Sequence, residues 1–261
     1  MFYFAAMYKE FRPHPLLATY VDAYWVAGGP HFMQQRILPD TCADIIFNIS
    51  EDIIAVADGA LKIMPGNAFV VGTMTTFHDT AFHANTYLLG IRFKPGGLSG
   101  FTGLPLQLIT DDHVPLRDIS SGWHVALEPL LLKASGITAK VVCLEKFLLQ
   151  RLPAGNIISG KMQHSIAQIR QSKGAIAVNV LAAQAYMSPR NFERHFLQTT
   201  GVSPKTFTRI VRFLSLKQQL KSLSNPHLLS LALDHGFYDH AHLTREFRAF
   251  AGESPTGYMQ R

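Results

Sequence analysis

Two stretches of this chain repeat one pattern, LAAQAYMSPRNFERHFLQTTGVSPKTF (181–207) and LALDHGFYDHAHLTREFRAFAGESPTGY (231–258). With one extra residue in the second turn, seven positions match in the same order. The matched pairs are Ser188 with Asp239, Phe192 with Leu243, Arg194 with Arg245, Phe196 with Phe247, Gly201 with Gly252, Ser203-Pro204 with Ser254-Pro255, and Phe207 with Tyr258. An internal repeat of this kind indicates two copies of one structural unit.

Each copy has the helix-start and helix-stop residues of a helix-turn-helix unit. Ser188 is a good N-cap, and Pro189 suits the first helical position, where its missing N–H costs nothing. Asp239 is the corresponding N-cap in the second copy. Gly201 and Gly252 then end the two helices, as glycines commonly do. The repeat therefore predicts two short helices, each preceded by a turn.

Helical spacing divides each of these helices into an inward and an outward face. Phe192 and Phe196 lie at i and i+4 and share the inward face, as do Leu243 and Phe247 in the second copy. At about 100° per residue, the first helix turns its charged side chains outward. The outward residues are Arg190, Glu193, Arg194 and Leu197 in the first copy, and Ala241, Thr244, Arg245 and Arg248, with His242 on the flank, in the second.

Between the two copies, KTFTRIVRFLSLKQQLKSL (205–223) has a continuous helical pattern without Gly or Pro. Eighteen residues of helix would span roughly 27 Å at 1.5 Å per residue. Such a helix could hold two recognition helices near the ~34 Å separation of successive major grooves. Lys205, Arg209 and Lys217 on it are candidates for phosphate contacts, for whichever of them faces DNA.

The charge is distributed unevenly along the 261 residues. Residues 156–261 have a net charge of +8, whereas residues 1–155 have a net charge of −2. A basic segment beside a slightly acidic one is typical of a DNA-binding domain joined to a second module. The major groove admits one α-helix, and an arginine can donate two hydrogen bonds to guanine. An ordinary helical hairpin with solvated arginines is the alternative, and the repetition of the pattern argues against it.

The C-terminal half resembles the DNA-binding domain of AraC/XylS-type transcription regulators over roughly residues 162–261. The second unit of that family reads close to GFxDxxHFxRxFKxxxGxSPxxY, and here Leu243 and Arg248 replace the usual Phe and Lys. The resemblance implies two helix-turn-helix units joined by a long helix. It also implies base reading by Arg190, Glu193, Arg194, Ala241, His242 and Arg245, although Ala241 offers only a methyl group. The remaining residues of the motif are Gly236-Phe237, Asp239, His242, Arg245, Phe247, Gly252, Ser254-Pro255 and Tyr258.

The N-terminal half contains short apolar runs separated by Gly and Pro turns, which predict β-strands. Helical spacing before these runs predicts a helix within 15–26, and two helices are predicted within 123–150, broken near Ser135-Gly136. The predicted strands lie within 43–49, 53–57, 68–72 and 86–93.

This half resembles, more weakly, the sensor domain of some AraC-type regulators, a β-barrel of cupin type with helices packed outside. The stretches that show the resemblance lie at 36–49, 69–75 and 90–119. We therefore predict an α/β sensor or dimerisation domain over 1–151, a linker over 152–161, and an all-α DNA-binding domain over 162–261. We expect the barrel to enclose a mainly apolar cavity that suits an uncharged or weakly charged effector. Arg92 or Arg36 would be the anchor if the effector is an anion. The alternative is a filled barrel that serves only for dimerisation.

A metal site in this domain would use His78 and His83, with His31 and Asp79 as helpers. Barrel sites place two histidines at i and i+2, so that both point inward. A spacing of five puts these two on opposite faces of a strand, unless a turn brings them together. We therefore expect a polar turn here, and we predict no metal and no cofactor.

Two further residues are candidates for nucleophilic chemistry, Cys42 and Ser99. A reactive Cys42 would need an electropositive neighbour such as Arg36, and we expect a buried thiol instead. Ser99 in GGLSGFTG lacks the GxSxG spacing of a nucleophile elbow. The sequence thus predicts no catalytic residues, and a DNA-tethered cupin-like small-molecule enzyme is the alternative function.

The predicted function is sequence-specific transcription regulation, with double-stranded DNA as the main partner. A small-molecule effector, RNA polymerase and a second copy of the chain bound through the N-terminal domain are the further partners considered. No run approaches the roughly 20 apolar residues that a membrane helix needs, and the N-terminus lacks the basic region of a secretory signal. These features favour a cytoplasmic protein.

Overall fold

The computed structural model describes residues 7–153, 157–222 and 227–260. The described chain has an N-terminal part rich in strands and a C-terminal part made of helices, which confirms the predicted two-part organisation. Among the described residues, no helix is both long and apolar enough to cross a bilayer.

A six-stranded antiparallel sheet forms the centre of the N-terminal part, with the strand order β1-β2-β9-β4-β7-β10. Its strands are β1 (Met7–Phe11), β2 (Val21–Gly29), β4 (Ala43–Asn48), β7 (Ala68–Val71), β9 (Thr86–Phe93) and β10 (His113–Pro115). β4, β7 and β9 coincide with three of the predicted strands. The fourth predicted strand, 53–57, belongs to a separate small hairpin, described next.

Two small two-stranded sheets cover one face of this sheet. β3 (Met33–Ile37) pairs with β8 (His78–Phe82), and β5 (Ile54–Val56) pairs with β6 (Leu61–Ile63). The three sheets do not join into one closed sheet. A strand-rich N-terminal domain is therefore confirmed, whereas the predicted cupin-like barrel is not.

Two sequence predictions fail within these strands. The helix expected within 15–26 is a single 3-10 turn, Pro15–Leu17, followed by β2. β2 is hydrogen-bonded on both sides, to β1 and β9, and nearly all its residues are buried, so it lacks the alternation that identifies a half-exposed strand. The polar turn expected at His78 is strand β8, in which half-buried and exposed side chains alternate.

Helices cover the other face of the large sheet. They are α1 (Gly97–Thr102), α2 (Leu116–Ile119), α3 (Ser121–Lys133) and α4 (Ile137–Leu149), with a 3-10 turn at Leu106–Ile109 before β10. Phe47, Leu89 and Phe93 of the sheet pack there against Trp123 and Leu144. The two helices predicted within 123–150 are thus confirmed as α3 and α4.

The C-terminal part contains seven helices among the described residues. They are α5 (Ile157–Gln171), α6 (Val178–Gln184), α7 (Pro189–Thr200), α8 (Pro204–Ser222), α9 (Leu228–Asp234), α10 (His240–Ala251) and α11 (Pro255–Met259). α8 matches the predicted connecting helix, whose last residue, 223, lies outside the described residues.

The predicted linker 152–161 is shorter than expected, because α5 begins at Ile157. Gly160 lies inside the first turns of this helix, where a Cβ would meet nothing within 4 Å. One glycine in a helix costs only about 1 kcal/mol and need not end it. Residues 154–156 lie outside the described residues.

Two separate apolar cores hold the repeated units on opposite ends of α8. Phe207 and Val211 of α8 pack against Phe192 and Phe196 of the first unit. The second core unites the later part of α8 with the second unit, through residues that include Phe213, Leu216, Leu220, Leu243 and Phe247. The connecting helix is therefore part of both units.

Candidate DNA interface and sensor cavity

The first recognition helix is α7, which is capped at both ends. The Ser188 hydroxyl accepts a hydrogen bond from the Asn191 N–H at 3.4 Å, and Pro189 is the first helical residue. Gly201 ends the helix at a φ of +85°, and its N–H donates to the Leu197 carbonyl. This geometry follows from the residue types, since serine caps and glycine stops are the usual choices.

The three charged residues predicted on the outward face of α7 are exposed: Arg190, Glu193 and Arg194. The Arg194 guanidinium donates to the Asn191 side-chain oxygen at 2.7 Å, one turn earlier on the helix. This bond orients the guanidinium along the exposed face while other N–H groups stay available, because arginine has five donors.

The second recognition helix is α10. The Asp239 carboxylate accepts from the His242 N–H at 2.6 Å, and Gly252 ends the helix at a φ of +75°. A carboxylate at this end also interacts favourably with the helix dipole. Ala241, Arg245 and Arg248 are exposed, as their outward positions predict.

His242 and Thr244 are less accessible than the other predicted contact residues. The His242 ring lies edge-on to Phe237 at 5.5 Å, and its Nδ1 accepts from the Tyr238 N–H at 3.2 Å. Thr244 is half-buried, and no hydrogen-bond partner for its buried hydroxyl lies among the described residues. The most accessible polar groups of α10 are therefore those of Arg245 and Arg248.

The turn before each recognition helix passes through the left-handed region. Tyr186 takes a φ of +54° in the first copy, and Gly236 takes +69° in the second. Tyr186 is also 90% exposed, which is exceptional for an aromatic side chain, and Tyr238 is 86% exposed beside the second turn. These tyrosines flank the two recognition helices on the surface.

Two arginines of α8 are bound within the protein. Arg209 forms two hydrogen bonds with the Glu246 carboxylate of α10, at 2.6 and 2.8 Å. Arg212 donates to the Gly174 carbonyl at 3.1 Å, and its guanidinium lies over the Phe237 ring at 5.5 Å. Arg212 thus contacts both the turn between α5 and α6 and the second helix-turn-helix unit.

The three predicted phosphate contacts of α8 differ in their accessibility. Lys205 is exposed, Arg209 is engaged by Glu246, and Lys217 is half-buried. Burial and the neighbouring Lys221 lower the pKa of Lys217, and Asp40 of the N-terminal part is its acidic neighbour. Of the three, Lys205 is therefore the one most accessible to DNA.

A second candidate site is a cavity of about 490 Å³ between the large sheet and the two small sheets. Trp25, Phe69, Phe82 and Leu88 form apolar walls. Gly90 allows the Trp25 ring to lie against the sheet, since a Cβ there would come within 2.0 Å of it. The interior is therefore open, unlike the filled barrel considered as an alternative.

The charges in this cavity are largely paired. Arg92 lies 3.6 Å from Asp44, 3.8 Å from Asp40 and 3.6 Å from Glu10, and Asp44 accepts a hydrogen bond from the Trp25 indole at 2.7 Å. Burial, opposed by Arg92, raises the pKa of Asp44 to about 6. Several carboxylates thus offset the positive charge of Arg92.

Of the four residues considered for a metal site, three lie by this cavity, but they do not form one. His78, Asp79 and His83 contribute to its lining, and the His78 ring meets the His113 ring edge-on at 5.8 Å. Asp79 accepts two hydrogen bonds from Arg36, at 2.7 and 2.6 Å. Across residues 7–153, 157–222 and 227–260, no three His, Cys, Asp or Glu side chains come together as a metal site would require.

Cys42 and Ser99 have ordinary structural roles. Cys42 is buried, and burial together with Asp40 and Asp44 raises the pKa of its thiol, which keeps it protonated. Its cationic neighbours are Arg170 and Arg92 rather than Arg36. Ser99 lies inside α1.

Comparison with known proteins assigns the C-terminal part. Residues 181–261 match the helix-turn-helix domain family, and residues 9–115 match a domain of unknown function (DUF6597). The chain therefore carries an AraC-type helix-turn-helix domain at its C-terminus.

One curated relative is similar to part of this chain. An uncharacterized HTH-type transcriptional regulator of Haemophilus influenzae is 36% identical over 95 residues, which are 36% of this chain and 32% of the relative. The match thus spans about a third of the relative's length.

Two solved structures align with this chain over different lengths. ToxT from Vibrio cholerae O395 aligns over 89% of this chain and 94% of its own, with 10% identity and a TM-score of 0.45. The DNA-binding domain of AdpA, solved in complex with a target DNA, aligns over 38% of this chain and 89% of its own, with 30% identity and a TM-score of 0.36.

Proposed function

We propose that this chain is a sequence-specific DNA-binding transcription regulator that reads two successive major-groove segments with α7 and α10. The observation that supports this most directly is the matched pair of capped helices with exposed arginines, Arg194 and Arg245, at the same repeat position. One chain would then cover two half-sites, and its operator need not be palindromic. We propose contacts by Arg190, Glu193, Arg194, Ala241, His242, Thr244, Arg245 and Arg248.

Selection of bound sequences from a random DNA pool tests this function. We expect a site with two conserved blocks about one helical turn apart, since consecutive major-groove segments are ~34 Å apart. Recovery of unrelated sequences at every salt concentration would contradict sequence-specific binding.

We further propose that the N-terminal cavity binds a small-molecule effector. Its apolar walls suit a ligand with an apolar body. An anion is disfavoured, because Arg92 faces Asp40, Asp44 and Glu10 and because Arg36 is engaged by Asp79. The proposed effector is therefore neutral or cationic, and the anionic ligand considered from the sequence loses its anchors.

Trp25 provides a direct test of the cavity. The chain has two tryptophans, so Trp123→Phe leaves Trp25, which lines the cavity, as the sole indole reporter. Ligands found by thermal shift should change Trp25 fluorescence, and a cavity-filling Ala27→Phe substitution should abolish both responses. A ligand whose thermal shift survives in Ala27→Phe binds elsewhere.

A homodimer through the N-terminal domain is the further assembly we propose, acting in the cytoplasm together with RNA polymerase. Val125 and Leu132 of α3 support it, because they are 69% and 58% exposed and lie on the surface of the sensor domain. Sedimentation of wild type against Leu132→Glu tests it, and we expect the wild type alone to dimerise. A monomeric wild type would remove the dimer and leave DNA binding by one chain in place.

A further inference from the structure

The glycine that ends the first recognition helix lies against the N-terminal domain. The Thr110 hydroxyl donates to the Gly201 carbonyl at 2.6 Å, and the Thr73 hydroxyl donates to the Thr200 carbonyl at 2.7 Å. A Cβ at Gly201 would come within 3.0 Å of the Thr110 oxygen and 3.3 Å of the Leu106 carbonyl. The end of α7 is thus bound by two hydroxyl groups of the other domain.

The matched end of the second recognition helix is bound in the same way. The Thr76 hydroxyl donates to the Ala249 carbonyl at 3.1 Å, and Arg36 Nη1 donates to the Ala251 carbonyl at 3.2 Å. A Cβ at Gly252 would come within 2.4 Å of Arg36 Nη1 and 2.8 Å of the Phe77 ring. Glycine at the repeat position therefore permits close approach of the N-terminal domain at both helices.

These contacts satisfy a general need of helix ends. The last four carbonyls of an α-helix have no partner within the helix, and the C-terminus carries partial negative charge. Hydroxyl groups donate hydrogen bonds to terminal carbonyls of both helices. At α10, Arg36 also donates such a bond, and its positive charge lies beside the negative end of the helix dipole. Arg36 is held in place by its two hydrogen bonds to Asp79 and by the Phe77 ring, 4.2 Å from its guanidinium carbon.

A single loop reaches both helices. Residues 72–77 connect β7 to β8; Thr73 of this loop contacts α7 and Thr76 contacts α10. We call residues 72–77 the docking loop. Thr75, between them, instead binds Asp111 within its own domain, through its N–H at 2.6 Å and its hydroxyl at 2.5 Å.

The docking contacts leave the proposed base-reading surface uncovered. They lie at the C-terminal ends of α7 and α10, whereas Arg190, Arg194, Ala241 and Arg245 lie in the first half of each helix and are exposed. The docked arrangement is therefore compatible with contact between both helices and DNA. It also restrains both helices relative to one body.

We propose that Thr73, Thr76 and Arg36 are positioning residues for DNA recognition, which hold the two recognition helices in one arrangement. This inference rests on the proposed DNA-binding function. Since binding two half-sites at once requires both helices to be correctly placed, fixing them in advance lowers the entropic cost of association. Loss of the docking bonds therefore weakens binding to the complete site more than binding to unrelated DNA.

The same loop also connects the recognition helices to the cavity. Gly72 and Met74 of the docking loop, with His78 and Asp79 that follow it, line the cavity. Successive residues of one segment thus face the cavity and the DNA-binding domain. A ligand that displaces Met74 would reach both recognition helices through the neighbouring Thr73 and Thr76.

The test compares full-length chains that differ only in this loop. Thr73→Val with Thr76→Val removes both docking hydroxyls at nearly constant volume, and Thr75→Val is the matched control, because it makes the same change without touching the DNA-binding domain. On the site selected by the wild type, the double variant should bind about tenfold more weakly, whereas scrambled DNA should change less than about twofold. Thr73→Ser with Thr76→Ser keeps both hydroxyls and should restore binding.

Equal binding of the selected site by wild type and double variant would overturn the positioning role, and so would equal losses on selected and scrambled DNA. The same holds if Thr75→Val matches the double variant. If the wild type itself selects no sequence, the DNA-binding function fails instead, so the two failures are distinguishable. Circular dichroism and thermal unfolding of every variant exclude a loss caused by misfolding.

Discussion

The Arg209 guanidinium donates two hydrogen bonds, of 2.6 and 2.8 Å, to the Glu246 carboxylate. This pair joins the connecting helix α8 to the second recognition helix α10. Bidentate pairs of this kind fix orientation as well as supplying energy. The side chains are 37% and 19% exposed, so solvent screens the pair only partly. Arg209 therefore positions α10, in contrast to the phosphate contact that the sequence suggests.

Replacing Arg209 should therefore remove the ion pair that joins α8 to α10. Arg209→Ala leaves Glu246 with an unpaired negative charge near the proposed DNA surface, which should weaken binding to every sequence. Arg209→Ala with Glu246→Ala should recover part of this loss, with a coupling energy of about 1 kcal/mol. The salt dependence of DNA binding measures both effects, with Lys205→Ala as the control that lowers the salt slope by about one. Additive effects of the two substitutions would show that the pair does not support DNA binding.

Tyr186 should be a site of backbone strain. Its φ of +54° is unfavourable for a tyrosine, and its 90% exposure means that little packing would be lost on replacement. Tyr186→Gly should therefore stabilise the protein by about 1 kcal/mol, because glycine adopts this conformation without a Cβ penalty. Tyr186→Ala, which keeps the Cβ, is the matched control and should give no such gain. Denaturant unfolding of the three proteins checks this prediction, and equal stability of the glycine and alanine variants would rule it out.

The repeat explains why the C-terminal half could be predicted closely. Caps, glycine stops and the i, i+4 phenylalanines are local features, and they appear in the structure at Ser188, Phe192, Phe196 and Gly201 as the sequence indicates. The connecting helix can be predicted equally well, because no Gly or Pro interrupts it. Local rules suffice where each element's boundaries are encoded within a few residues.

The N-terminal half was predicted less completely, for reasons that are not local. Strand β2 is buried on both faces, so its sequence does not alternate, and only its partners β1 and β9 identify it as a strand. The short polar strands β3 and β8 depend on pairing with each other. The docking bonds of Thr73 and Arg36 join residues 127 and 215 positions apart in the chain, so nothing in the local sequence indicates them.

Asp44 should give the protein an unusual pH dependence. The folded state raises its pKa to about 6, against about 3.9 in an unfolded chain, so between these values the folded protein binds more protons. Its contribution to stability is therefore fully present below about pH 4 and is lost as the pH rises through 6. We expect a change of about 2 kcal/mol or less, since the side chain is 16% exposed.

A difference measurement isolates this group. The free energy of unfolding of wild type and Asp44→Asn is measured with urea from pH 4 to 7.5. Between pH 4 and 6 only the wild type should lose the contribution of Asp44. Above pH 7 the two free energies should change with pH at the same rate. Asp52→Asn, an exposed position between β4 and β5, is the control and should follow the wild type. Parallel curves for wild type and Asp44→Asn would show that this carboxyl titrates no differently in the folded protein.

The proposed base readers make the sharpest prediction about DNA. Arg194 and Arg245 occupy matched positions on two capped helices, and both are exposed. Replacing either with alanine should cost roughly 1–3 kcal/mol on the selected site and relax selectivity within one half of it. The two losses should fall on different base pairs about one helical turn apart, because each helix enters its own groove segment. Competition against scrambled DNA at several salt concentrations separates base reading from phosphate contact. Equal weakening of selected and scrambled DNA would make both arginines phosphate contacts, and unchanged binding in both variants would leave the repeat a helical scaffold without a reading role.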